Sequence, residues 1–138
     1  MTSFNSPEIT ITQPAESVYH FLTNFKNFEK LMPDQVVNWR ATEDHCSFTI
    51  QGMADLAMHM GEKTPYSFIR YESEGKSPVG FNLEFNIKDR PGNTSQVKII
   101  LKANLNPMLK MMASRPLSNF VNLLAEKLKE VMVDRPVN

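Results

Sequence analysis

An α+β fold is predicted, with seven antiparallel strands, two short helices and a long C-terminal helix laid over one face of the sheet. Three observations predict it. Apolar residues alternate with polar ones through most of residues 35–106, and turn residues interrupt that alternation at intervals of about ten. After Pro107 the apolar spacing changes to threes and fours, the period of a helix. A chain of 138 residues is the size of one domain, so residues 1–138 are expected to form a single one.

The first strand is expected over Phe4–Thr12, where Ile9 and Ile11 alternate with Glu8, Thr10 and Thr12. Pro14 suits the first position of a helix because its missing N–H would be unpaired there anyway, and Glu16 favours the first turn. Val18, Phe21, Leu22 and Phe25 then form one helical stripe. Phe28, Leu31 and Met32 form a second, which Pro33 ends because the residue before proline avoids the α region.

Six further strands are expected at Val36–Thr42, His45–Gly52, Ala54–Lys63, Tyr66–Ser73, Gly80–Lys88 and Ser95–Leu105. Turns fall at Glu43-Asp44, Gly52-Met53, Thr64-Pro65, Gly75-Lys76-Ser77-Pro78 and Arg90-Pro91-Gly92-Asn93. Because side chains alternate between faces, Cys46, Phe48 and Ile50 share one face, as do Leu56, Met58 and Met60. The same holds for Phe81, Leu83, Phe85 and Ile87, and for Val97, Ile99, Leu101 and Ala103. A sheet with one apolar face needs a cover. Leu109, Ala113, Leu117, Phe120, Leu124, Leu128 and Val131 supply it on a helix from Pro107 to about Val133, with Pro116 expected to kink it.

Leu, Ile, Val and Phe make up about a quarter of the chain, above the roughly 20% below which disorder is the better expectation. Fifteen basic and fifteen acidic residues balance, so no net field steers the protein to nucleic acid. Cys46 is the single cysteine, which excludes an internal disulfide and a cysteine-based zinc cluster. No apolar run of about 18 residues exists and Met1–Thr12 has no signal-like apolar stretch, so a cytoplasmic location without integral membrane association is expected.

The segment Ile11-Thr12-Gln13-Pro14-Ala15-Glu16-Ser17-Val18-Tyr19-His20-Phe21-Leu22, followed by Asn24-Phe25-Lys26-Asn27-Phe28 and Leu31-Met32-Pro33, resembles the opening of the START, polyketide cyclase and birch pollen allergen (SRPBCC) superfamily. The element order resembles that superfamily's helix-grip fold over the whole chain. These positions pack and cap helices and carry no chemistry. The resemblance implies a curved sheet whose concave face is covered by the last helix, with a cavity between them for apolar or amphipathic molecules such as lipids, polyketides or steroids. Glu43-Asp44 stands where the allergens carry a glycine-rich loop, so their ligand specificity does not carry over. His20, His45 and His59 lack the spacing of the iron site in the superfamily's oxygenases.

Other motifs read as structural. Gly75-Lys76-Ser77 imitates the end of a phosphate loop, but Arg70 stands where the first glycine is needed. His45 and Cys46 are neighbours on a strand and point to opposite faces, His59 shares a polar face with Asp55, and His20 lies away from its helix's apolar stripe. Asn93-Thr94-Ser95 matches a glycosylation acceptor only by chance. No metal or cofactor is called for. In Tyr66–Glu72 the alternation admits two registers: with Phe68 inward, Tyr66, Arg70 and Glu72 follow, whereas with Ile69 inward, Tyr71 follows and Arg70 is a surface residue.

The leading expectation is a non-catalytic binding protein whose partner is a small apolar molecule. Its expected ligand-binding residues are Trp39, Phe48, Met58, Met60, Phe68, Phe85, Leu101, Met108, Met112, Leu117 and Phe120. Thioethers adapt to irregular shapes, which gives Met58, Met60, Met108, Met111 and Met112 special interest, and residues 107–113 are too apolar all round to fit under one sheet. That surplus is either buried by loops and short helices or marks a cavity mouth, a homodimer face or a membrane-touching lip. Two alternatives stand beside this expectation. One is a cyclase or dehydratase using Arg70 with Tyr66 or Tyr71; the other is a protein-interaction module whose cavity is filled by its own Phe and Met side chains.

Overall fold

Antiparallel pairing runs through the entire sheet of the computed structural model, which describes residues 2–52, 54–75 and 79–132. In chain order the elements are β1 (Thr2–Asn5), β2 (Ile9–Ile11), α1 (Ala15–Leu22), α2 (Phe25–Phe28) and a 3-10 turn (Glu29–Leu31). They are followed by β3 (Val36–Ala41), β4 (His45–Ile50), β5 (Ala54–Thr64), β6 (Phe68–Ser73), β7 (Phe81–Arg90), β8 (Thr94–Ala103) and α3 (Pro107–Val131). The sheet order is β1-β8-β7-β6-β5-β4-β3, with β2 also on β8. The expected turns at Gly52-Met53 and Gly75–Pro78, and the expected helix end at Val133, fall partly outside the described residues.

The single first strand expected over Phe4–Thr12 is instead two, which makes eight strands in place of seven. Pro7 has no N–H to give the ladder, and Ser6 fills the break. The Ser6 N–H donates to the Ile99 carbonyl at 2.8 Å, while Ser6 Oγ accepts from the Ile99 N–H at 2.9 Å. Both halves therefore stay on β8.

α1 begins one residue later than expected, at Ala15, whose N–H is capped by Asp89 Oδ1 at 3.0 Å across the fold. Its buried face is Ala15, Val18, Tyr19 and Leu22, while Phe21 is only partly buried. The Ile69 register holds in β6: Ile69 and Tyr71 are fully buried, opposite Phe85 and Leu83 of β7. Asn38 takes a left-handed conformation (φ 58°) at a register shift between β3 and β4, a position asparagine tolerates. α3 is continuous through Pro116, and Asn106 caps its start by accepting from the Leu109 N–H at 2.8 Å.

The inner face of the sheet is covered in two parts. Over β6 and β7 lie α1 and α2, which bury Phe25, Phe28, Tyr71 and Phe85 in one aromatic cluster with ring centroids 4.5–6.3 Å apart. Over the remaining face lies α3, anchored by Leu117, Phe120, Val121, Leu124 and Leu128.

Candidate functional site

Beneath the first half of α3 the sheet and helix do not close on each other, and a cavity of about 410 Å³ remains. Phe48, Ile50, Leu56 and Met58 form one wall. Cross-strand pairing of Phe48 with Leu56 puts these side chains on one surface. Phe81, Leu83, Leu101 and Ala103 form the second wall, again as direct pairs, with Val79 and Leu105 at its end. Leu109, Met112, Ala113, Pro116, Leu117 and Phe120 form the roof. Gly52 completes the lining, and among the described residues no titratable side chain faces this space. The volume lies within the roughly 300–1,000 Å³ of small-molecule sites.

Met112 and Leu109 line the cavity and are also 70% and 38% exposed, so its mouth opens at the start of α3. Met108 and Met111 stand exposed beside it.

Phe48, Met58, Leu101, Met112, Leu117 and Phe120 of the expected ligand-binding residues line this cavity; the other five do not. Phe85 points inward as alternation requires, but at the end of the sheet filled by α2, where it packs on Phe28 and Tyr71. Phe68 lies on the outer face, since Ile69 takes the inner one, and Arg70 covers its ring at 5.3 Å. Met60 is partly buried on β5 opposite Tyr71, away from the cavity. Met108 is exposed, because it faces about 100° round the helix from Leu109, the residue of the first turn of α3 that lines the roof. Trp39 stands beside the wall, stacked on Phe48 at 5.5 Å and 28°, and among the described residues its buried Nε1 has no hydrogen-bond partner. Ile50, Phe81, Leu83 and Ala103 are lining residues that sequence reasoning did not select, although their parity with Phe48, Phe85 and Leu101 was visible.

The residues of the cyclase alternative lie elsewhere. Arg70 is on the outer face, with its Nε donating to Glu84 Oε2 at 3.0 Å and Nη1 at 3.3 Å from Glu62. That hydrogen bond to Glu84 holds the guanidinium above its ordinary range. Lys102 meets the other oxygen of the buried Glu84 at 3.1 Å. Tyr71 is fully buried and donates to the Leu22 carbonyl at 2.6 Å. Burial first, and then neighbouring Cys46, push its hydroxyl well above the usual tyrosine range. Tyr66 lies in the turn before β6 at φ 85°, edge-on to Tyr19.

Cys46 is buried and its thiol is pushed up to about 12 by that burial, so it stays protonated and unreactive. His45 and His59 are cross-strand partners on the outer face, where both approach Glu74, at 3.1 and 3.5 Å, and His59 also approaches Glu72. Among the described residues no group of three or more such side chains is arranged to hold a metal ion, and no helix is long and apolar enough to cross a membrane.

No family model and no curated protein matches the sequence. Solved structures match the fold over nearly its whole length. XoxI from Bacillus cereus aligns with a TM-score of 0.75 at 13% identity, covering 97% of each chain. A START superfamily protein from Mycobacterium smegmatis aligns at 0.68 and 13%, covering 94% of this chain and 96% of that one. The Aha1 dimer from Colwellia psychrerythraea aligns at 0.68 and 16%, covering 96% of each. The fold is therefore a START-like helix-grip fold.

Proposed function

We propose that the protein binds a small hydrophobic or amphipathic molecule, lipid- or polyketide-like, between the sheet and α3. The observation that carries this reading is the apolar cavity of about 410 Å³ with a mouth at Leu109 and Met112. A void of that size forfeits packing contacts for the side chains that line it, and an apolar guest restores them. Hiding about 300 Å² of apolar ligand surface contributes about 7 kcal/mol at 25 cal/mol per Å², before the costs of association. Dissociation constants from micromolar upwards are the expected scale.

Trp39 is the only tryptophan and stacks on the cavity wall, so its fluorescence reports occupancy. Titration with dodecanoate or anilinonaphthalene sulfonate is expected to shift it saturably. Ala113→Phe, which fills the space from the roof, and Met112→Asp, which puts a charge at the mouth, are expected to abolish the response while retaining native circular dichroism. Undiminished uptake by both folded variants overturns the reading.

A further inference from the structure

The exposed start of α3 differs from the rest of the helix in both polarity and charge. Met108, Met112 and Arg115 recur at i, i+4 and i+7, and Met111 lies four residues before Arg115, so three thioethers and a guanidinium share one outward strip. Met108, Met111 and Met112 are 72%, 85% and 70% exposed. Lys110 stands about 100° round the helix from Met111, on the flank of the strip. No acidic residue occurs anywhere from Arg90 to Ala125, and the first turn of α3, where carboxylates are favoured, has none. Among the described residues neither Lys110 nor Arg115 is paired with a carboxylate.

We propose that this strip docks the protein on an anionic lipid surface, with the methionines entering the interface and Lys110 and Arg115 meeting the head groups. Charge selects this occupant over a second copy. A two-fold dimer would set the strip against itself, cation against cation, with no carboxylate of the strip to answer. Position selects a lipid surface over an acidic protein, because Leu109 and Met112 belong at once to the strip's edge and to the cavity mouth. A molecule leaving the bilayer would pass into the cavity without crossing water. The use of the surface rests on the cavity reading; its binding does not.

The test is co-sedimentation of the full chain with phosphatidylcholine vesicles, with and without phosphatidylglycerol, alongside dodecanoate titration. Binding is expected only with the anionic lipid and is expected to fall with salt. Each cation near such a surface strengthens binding about five-fold. The double variant Lys110→Glu, Arg115→Glu is therefore expected to lower partitioning about tenfold or more, as is Met111→Asp, whereas Met111→Leu retains it. None of these residues lines the cavity, so dodecanoate uptake is expected to persist. Ala113→Phe supplies the opposite case, with uptake lost and vesicle binding kept. Failure of the wild type to sediment with anionic vesicles while still taking up dodecanoate overturns the docking and leaves the cavity reading intact. A dimer in sedimentation velocity that Met111→Asp converts to monomer assigns the strip to a second copy and overturns it too. Preference for polyglutamate over vesicles hands it to an acidic protein.

Discussion

The two ends of one apolar sheet face meet opposite fates. Under α1 and α2, large rings pack on one another: Phe25, Phe28, Tyr71 and Phe85 have no exposed surface, and Tyr71 hydrogen-bonds the Leu22 carbonyl. Under the first half of α3, side chains of the same chemistry, Phe48, Phe81 and Phe120, surround about 410 Å³ of space. Both surfaces arise from the same alternation, so what separates structure from function here is the cover. Two short helices lie close on the sheet at one end, and the first part of a long one stands off it at the other.

The largest effect expected from this contrast is at the filled end. Phe28→Ala removes a ring that touches Phe25, Trp39, Tyr71 and Phe85, and is expected to cost about 3–5 kcal/mol in denaturant unfolding. A loss below about 1 kcal/mol would mean that the aromatic cluster is not the fold's anchor.

Next comes a pH dependence from the same side of the sheet. The Cys46 thiol, pushed from 9.0 to about 12 by burial, keeps its proton in the folded chain while the unfolded chain ionises. The folded state then binds more protons than the unfolded state. Stability is fully present below about pH 9 and is lost as pH rises towards 12, by up to about 4 kcal/mol. Tyr71, raised for the same reason, extends the loss above pH 10. Unfolding midpoints from pH 8 to 11 are expected to fall less steeply in Cys46→Val, with the change beginning near pH 9. An identical slope in that variant would remove Cys46 from the account.

Glu84 tests whether the outer face is independent of the cavity behind it. Its buried carboxylate holds Arg70 at 3.0 Å and Lys102 at 3.1 Å across three strands. Glu84→Gln leaves Lys102 without its charge partner and Arg70 with Glu62 alone, and is expected to cost about 1–3 kcal/mol, with dodecanoate uptake unchanged. Loss of uptake in a folded Glu84→Gln chain would tie the two faces together.

These contrasts show what was legible in the residues. Alternation identified the inner faces of β4, β7 and β8, and the change of period at Pro107 identified the cover. Periodicity assigns a residue to a face but not to a place along it, so Phe85 and Phe48 read alike although one is core and the other cavity wall. Phe68 and Ile69 were ambiguous because each parity of β6 mixes apolar with polar residues, and the choice between them rests on Phe25 and Phe28, which pack on Tyr71 from elsewhere in the chain. Val79 was missed because it precedes a strand and carries no period, whereas Leu105 and Gly52 continue the inner parity of their strands just past the strand ends. Pro7 could have marked the break in the first strand, since its missing N–H was visible from the outset.

The finest test makes one substitution at each end. Leu22 on α1 and Leu117 on α3 are both buried helical leucines, and Leu→Ala removes the same atoms from each. Leu22 is surrounded, so its deletion is expected to cost about 3–5 kcal/mol, the range for a void opened in a packed core. Leu117 already faces open space on one side and has fewer contacts to lose, so its deletion is expected to cost about 1–2 kcal/mol less than that of Leu22. Leu117→Ala also enlarges the cavity, and is expected to shift preference from dodecanoate towards a longer chain such as hexadecanoate. Equal costs at the two sites, with no change in ligand preference, would show that the space under α3 closes in solution.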